Sequence, residues 1–194
     1  MPIAINGSGT VTGISVGGLP DGIVDTDMIA AAAVTESKRG PGTILQVVGN
    51  SNSSAVTTTG VSFVDTGLTQ NITLLRANSK VFFILNMGCD TARDNQLAAG
   101  RVRLHRSGAT GDSDRTYGGA QKNVGAYIGG ANTHNRHQAQ FTMTGFDTEL
   151  GNNAAGTTLT YKFQCRCDDS GSNPDFRVNP NGEISFITLM EISV

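Results

Sequence analysis

From residue 44 onward, apolar and polar residues alternate in short runs separated by clusters of Gly, Asn, Ser and Asp. A period of two puts successive side chains on opposite faces of a strand, so the pattern predicts strands near 44–48, 61–68, 81–87, 101–106, 124–128, 138–144, 159–166 and 184–192. Eight such strands describe a β-sandwich or jelly roll. The closing run "EISFITLMEISV" carries Ile184, Phe186, Thr188 and Met190 on one face, and Ser185, Ile187, Leu189 and Glu191 on the other. Apolar residues on both faces imply a strand covered on both, by two layers of one chain or by a neighbouring subunit. Burial by a subunit is the preferred reading.

Residues 1–43 have a different texture. "TVTGISV" at 10–16 alternates, "GGLPDG" at 17–22 reads as a turn, and "VDTDMIAAAAVTESK" at 24–38 splits into two decads that begin VDTDM and VTESK. Ala30–Ala33 favour a helix by propensity, while the flanking Val, Thr and Asp favour an extended chain, and both remain open. "KRGPG" at 38–42 reads as a linker, and no aromatic residue occurs before it. So little apolar bulk cannot offset the entropy of ordering the segment. It must borrow a core from identical copies or from a host structure, through Ile14, Val16, Leu19, Val24, Met28, Ile29 and Val34. The expectation is an all-β chain: an extended N-terminal anchoring and oligomerisation segment over 1–43, then a β-sandwich or jelly-roll-like head over 44–194.

Composition narrows the function. The 194 residues include 25 glycines and no tryptophan, a poor recipe for helices and a good one for strands joined by turns. With 14 Lys+Arg against 16 Asp+Glu, the net charge is -2, which leaves no bulk basic field for nucleic acid or an anionic membrane. No stretch approaches the roughly 20 apolar residues of a membrane span. The start "MPIAIN" lacks the basic and apolar regions of a signal peptide, so a soluble chain without membrane insertion is expected. Cys89, Cys165 and Cys167 are too few for a disulfide framework and read as reduced thiols.

Polar stretches at 90–99, 107–123, 129–137, 147–157 and 168–181 read as long loops, and loops of that length usually carry function. The surface-binding candidates on them are Arg93, Asp94, Asp112, Asp114, Arg115, Tyr117, His134, Arg136, His137, Asp175 and Arg177. His134 and His137 lie three apart, a spacing that a strand does not bring to one face, so a metal site would need copies of one histidine gathered on a symmetry axis. Cys165 and Cys167 share a strand face and read as core packing. "DSD" at 112–114 and "CDDS" at 167–170 lack the glycine and bidentate glutamate of a calcium loop. No phosphate loop or HExxH helix is present, so neither an enzyme nor a cofactor is expected.

"INGSGTVTGISVGGLPDGIVDTDMIA" followed by "AVTESK" resembles the N-terminal segment of tail-fibre and related virion appendage proteins of tailed bacteriophages. "GTILQVV", "FVDTGLTQNITLLRANSKVFFILNMGC", "RVRLHRSG", "TYKFQCRC" and "ITLMEI" resemble the C-terminal jelly-roll-like domain of the same proteins. The resemblance implies a homotrimer within a virion. Its N-terminal segment would attach to other virion proteins, of tail or capsid, and its heads would contact a glycan or protein of the host surface. It carries over no catalytic residue. The single pair of decads is too short for a long shaft, which points to a short fibre or spike. The alternative is a capsid head fibre or decoration protein with a structural or weakly adhesive role. A trimeric C1q or tumour-necrosis-factor-like module lacks its stalk and signal here, and a glycan-cleaving enzyme would need carboxylates meeting between subunits.

Overall fold

The computed structural model describes residues 4–5, 11–12, 29, 33–35, 38–94, 97–108, 115–127, 134–147, 150, 153–168 and 174–194. For residues 4–5, 11–12, 93–94, 97–99, 115–127 and 134–137 the description is of the backbone. The chain divides into two compact units, Met1–Lys38 and Arg39–Val194. In the first, β1 (Ala4–Ile5) pairs antiparallel with β2 (Val11–Thr12). Ile29 and Val34 are exposed, and the described part of 29–35 is bend and irregular chain. Ile14, Val16, Leu19, Val24 and Met28 lie outside the described residues.

The second unit is all-β, as the alternation predicts. Its strands are β3 (Ile44–Asn52), β4 (Val56–Thr58), β5 (Val64–Thr73), β6 (Lys80–Asp94), β7 (Leu97–Ser107), β8 (Arg115–Tyr127), β9 (His134–Asp147), β10 (Thr158–Cys167), β11 (Asp175–Val178) and β12 (Ser185–Ile192). One sheet has the order β5-β10-β7-β8. In the other, β9 takes one edge of β6 from Val81 to Asp94, while β12 pairs with Lys80–Asn86 and β11 with Cys89–Ala92. A strand has two edges, so β12 and β11 run end to end along the second one, and β3 and β4 flank them in turn. That sheet is four strand positions wide: β3/β4, β12/β11, β6 and β9.

All these pairings are antiparallel, and each successive strand crosses to the opposite sheet except from β3 to β4, from β11 to β12 and at the β7–β8 hairpin. Two four-position antiparallel sheets wired this way, with the first and last strands adjacent, form a jelly roll.

The core follows the two-residue period. Leu159, Tyr161, Phe163, Cys165 and Cys167 of β10, with Val102 and Leu104 of β7 beside them, face Val81, Phe83, Leu85, Met87 and Cys89 of β6 and Ile187 and Leu189 of β12 within one buried cluster. Each large apolar side chain buried there contributes roughly 1.5–3 kcal/mol. The sheets approach so closely at Gly100 that an added Cβ would overlap the Phe176 ring.

Buried polar groups tie the layers together. Arg106 of β7 and Asp147 of β9 are fully buried, with Nε 2.6 Å from Oδ2, and Tyr161 donates to the same oxygen at 2.6 Å. Glu191, buried on β12, accepts from the backbone N–H of Leu75 and Arg76 at 2.9–3.0 Å and from Gln46 Nε2 at 2.6 Å, capping the β5–β6 turn.

Along one side of the sandwich the edge strands of the two sheets are stitched by side-chain amides. Gln46 donates to the carbonyl of Thr73 at 2.6 Å, Asn50 to Thr69 at 2.8 Å and Asn52 to Thr66 at 2.9 Å. The spacing of these donors and acceptors is that of an antiparallel ladder, slipped by one residue at Gly67, whose φ is 80°.

Several stretches read as loops from sequence are strands. β6 runs on to Asp94 and β7 starts at Leu97, β8 starts at Arg115, β9 starts at His134, and β11 lies inside 168–181. These polar ends extend because their backbones have partners, such as Asp90–Asp94 with His134–Gln138, and not because their side chains alternate.

Candidate functional site

The two outer sheet faces have opposite chemistry. On the β3–β12–β6–β9 sheet, β12 turns Ser185, Ile187, Leu189 and Glu191 inward and leaves Phe186, Thr188, Met190 and Ile192 outside. Strand register then builds rows across four strands. Met190 stands between Val47 and Phe82, and Phe82 is opposite Phe146. The next rows are Gly49, Thr188, Ile84 and Thr144, then Ser51, Phe186, Asn86 and Thr142, with Ile44, Ile192 and Lys80 on the other side. Phe82 and Phe146 pack with ring centroids 4.9 Å apart at 56°, an aromatic contact on the outside of the sheet.

Val47 is 56% exposed, Phe146 50%, Ile44 48% and Phe186 43%. Among the described residues of these rows Lys80, at the rim, is the one with a charge. Neighbouring strands lie about 4.8 Å apart, so the Val47, Met190, Phe82 and Phe146 row and the flanking Ile44, Ile192 and Ile84 form one apolar patch, beyond which the row of Ser51, Phe186, Asn86 and Thr142 is largely polar.

The outer face of β5–β10–β7 is wet. Asp65 pairs with Lys162 at 3.1 Å and accepts from Gln164 Nε2 at 2.5 Å, and Gln164 accepts from Arg103 Nε at 2.7 Å. The hydrogen bond from Gln164, helped by Lys162 and against partial desolvation, holds the Asp65 carboxyl below its usual range. Arg101 pairs with Asp168, and Arg166 donates to the carbonyl of Val61 at 2.8 Å. The guanidiniums of Arg103 and Arg166 sit 4.1 and 5.2 Å from the centre of the Phe63 ring.

The candidate residues read from sequence are on strands rather than loops where they are described. Arg93 and Asp94 end β6 and pair with Asn135 and His134; Arg136 and His137 of β9 pair with Ala92 and Thr91. Asp175 and Arg177 of β11 pair with Ala92 and Asp90 on the other edge of β6 and bond each other at 3.3 Å. Register thus gathers these seven at one end of the β11–β6–β9 array, while Arg115 and Tyr117 lie on β8 in the other sheet, opposite Arg106 and Leu104. Asp112 and Asp114 lie outside the described residues.

Among the described residues no group of three His, Cys, Asp or Glu could hold a metal ion, and no helix is long and apolar enough to cross a membrane. No single segment of the sequence displays this apolar face, because its rows join strands far apart in the chain, although the two-sided last strand and "VFFILNM" at 81–87 carry part of its signal.

No protein-family model matches the chain, and no curated protein sequence matches it. Similar solved structures include Eiger TNF from S. frugiperda, with 11% identity over 76% of this chain and 93% of that one at a TM-score of 0.37. The C-terminal domain of EclA, a sugar-binding protein, shares 16% identity over 70% of this chain and 78% of that one at 0.26. Infectious bursal disease virus Gx strain shares 8% identity over 77% of this chain and 43% of that one at 0.27. At these TM-scores the architecture rests on the strand order of this chain itself.

Proposed function

We propose that the chain is a subunit of a bacteriophage virion appendage, a short homotrimeric tail fibre or spike. Its heads would associate through the apolar outer face of β3–β12–β6–β9, and its N-terminal segment would attach to other virion proteins. The carrying observation is the row Val47, Met190, Phe82 and Phe146, four apolar side chains abreast on a face that water would otherwise cover. The opposite face is laced with ion pairs, so burying that one between copies would cost desolvation without comparable apolar gain. A three-fold ring closes when each copy sets this face against a different surface of the next, and the trimer number comes from the resemblance of the sequence to phage appendages.

Light scattering on the full-length protein at about 50 µM tests this, since association depends on concentration. The expected mass is three times that of the chain, falling to one in Met190→Glu with the β-sheet circular dichroism retained. A monomeric wild-type protein would overturn the assembly reading.

The same apolar face equally suits a capsid head fibre or decoration protein. Labelling with antibody on purified particles separates the two, tail label supporting the fibre and capsid label the decoration.

A further inference from the structure

We propose that the outer face of β5–β10–β7 binds an acidic polysaccharide, its Arg and Lys side chains engaging carboxylate or phosphate groups spaced along the polymer. The chain as a whole carries a net charge of -2, yet this face sets Arg101, Arg103, Lys162 and Arg166 against Asp65 and Asp168. Charge that cancels along the sequence is therefore segregated in space. Two-residue alternation places Arg101, Arg103 and His105 in line on β7, and Lys162, Gln164 and Arg166 in line on β10. Cross-strand register sets Lys162 beside His105, Gln164 beside Arg103 and Arg166 beside Arg101. The result is a grid with steps of about 5 Å across strands and about 7 Å along them.

The grid is held in position before any ligand arrives. Phe63 lies under both Arg103 and Arg166, Gln164 fixes Arg103 Nε, and Val61 fixes Arg166 Nη1, so little side-chain entropy is left to lose on binding. Guanidinium forks match planar carboxylates and phosphates in both geometry and charge. Two observations favour a sparsely charged glycan over nucleic acid. Among the described residues of this face the excess of two positive charges is far below the roughly 6–10 phosphate contacts of a nucleic-acid interface, and the aromatic ring that could stack on a base is covered by guanidinium. The binding is a property of a single head; three copies would multiply it by avidity.

Affinity electrophoresis of the full-length protein through gels containing polygalacturonate tests this, with dextran as the neutral polymer. The expected result is retardation by polygalacturonate and none by dextran at about 50 mM salt, lost at about 0.5 M. Arg103→Ser with Lys162→Ser is expected to weaken binding by at least roughly tenfold, and Asp65→Asn, which removes a negative charge, to tighten it. Lys80→Ser, on the other sheet, should leave it unchanged. Absence of retardation in the wild type, equal loss in Lys80→Ser, or tighter binding of an oligothymidylate competitor would each overturn the proposal. Light scattering on the same samples keeps the two readings apart: a monomer that binds refutes the assembly alone, and a trimer that does not bind refutes the glycan site alone.

Discussion

The three thiols show how burial decides side-chain chemistry. Desolvation first, then neighbouring carboxylates for Cys89 and Cys167 and the other two thiols for Cys165, pushes Cys89 and Cys165 up to about 12 and Cys167 up to about 11, against an ordinary value of 9.0. Cys167 donates to the carbonyl of Thr58 at 3.0 Å, which suits a thiol and not a thiolate. Such groups are unreactive in the native protein, so a disulfide-exchange reagent at neutral pH should label none of them until the chain unfolds. The linkage has a definite sign. A folded-state pKa above the unfolded one gives stability that is complete below pH 9 and is lost as pH rises toward 11–12, because the unfolded chain then gives up protons that the folded one keeps. Melting temperature measured from pH 8 to 11 should fall, and replacing all three cysteines by alanine should flatten that fall.

At the scale of elements, the amide seam between β3 and β5 replaces a backbone ladder with side chains. Gly67 makes it possible: its φ of 80° bends β5 toward Asn52, and an added Cβ would stand 2.8 Å from Asn52 Nδ2. Gly67→Ala is expected to cost about 1–3 kcal/mol in urea unfolding, from strain and the displaced amide together. Strands whose inward residues are bulky were legible from alternation, β10 with Leu159, Tyr161 and Phe163 above all. β11 was not, because "DFRV" is too short to show a period, nor was the start of β9, because "HNRHQ" has no apolar face and is a strand only through its pairing with β6. The candidate site divides along the same line. Two-sided apolarity in β12 was visible within a single segment, whereas the basic grid needs Arg166 beside Arg101 and Lys162 beside His105, a proximity that register alone supplies.

For the molecule as a whole, the strand order makes completion late. β12, far from β3 in sequence, lies between β3 and β6, so β3 joins that sheet only once residues 185–192 are in place. Deleting residues 185–194 should therefore abolish the cooperative thermal transition altogether rather than lower its midpoint. A cooperative transition in the truncated chain would contradict this. The amide seam has one more effect at this scale. The carbonyls of Thr66, Thr69 and Thr73 on β5 are occupied by Asn52, Asn50 and Gln46, so an invading strand finds its acceptors already taken. That border is thereby protected from the edge-to-edge zippering that seeds fibrils, because a neighbouring molecule meets side chains there and not an open backbone.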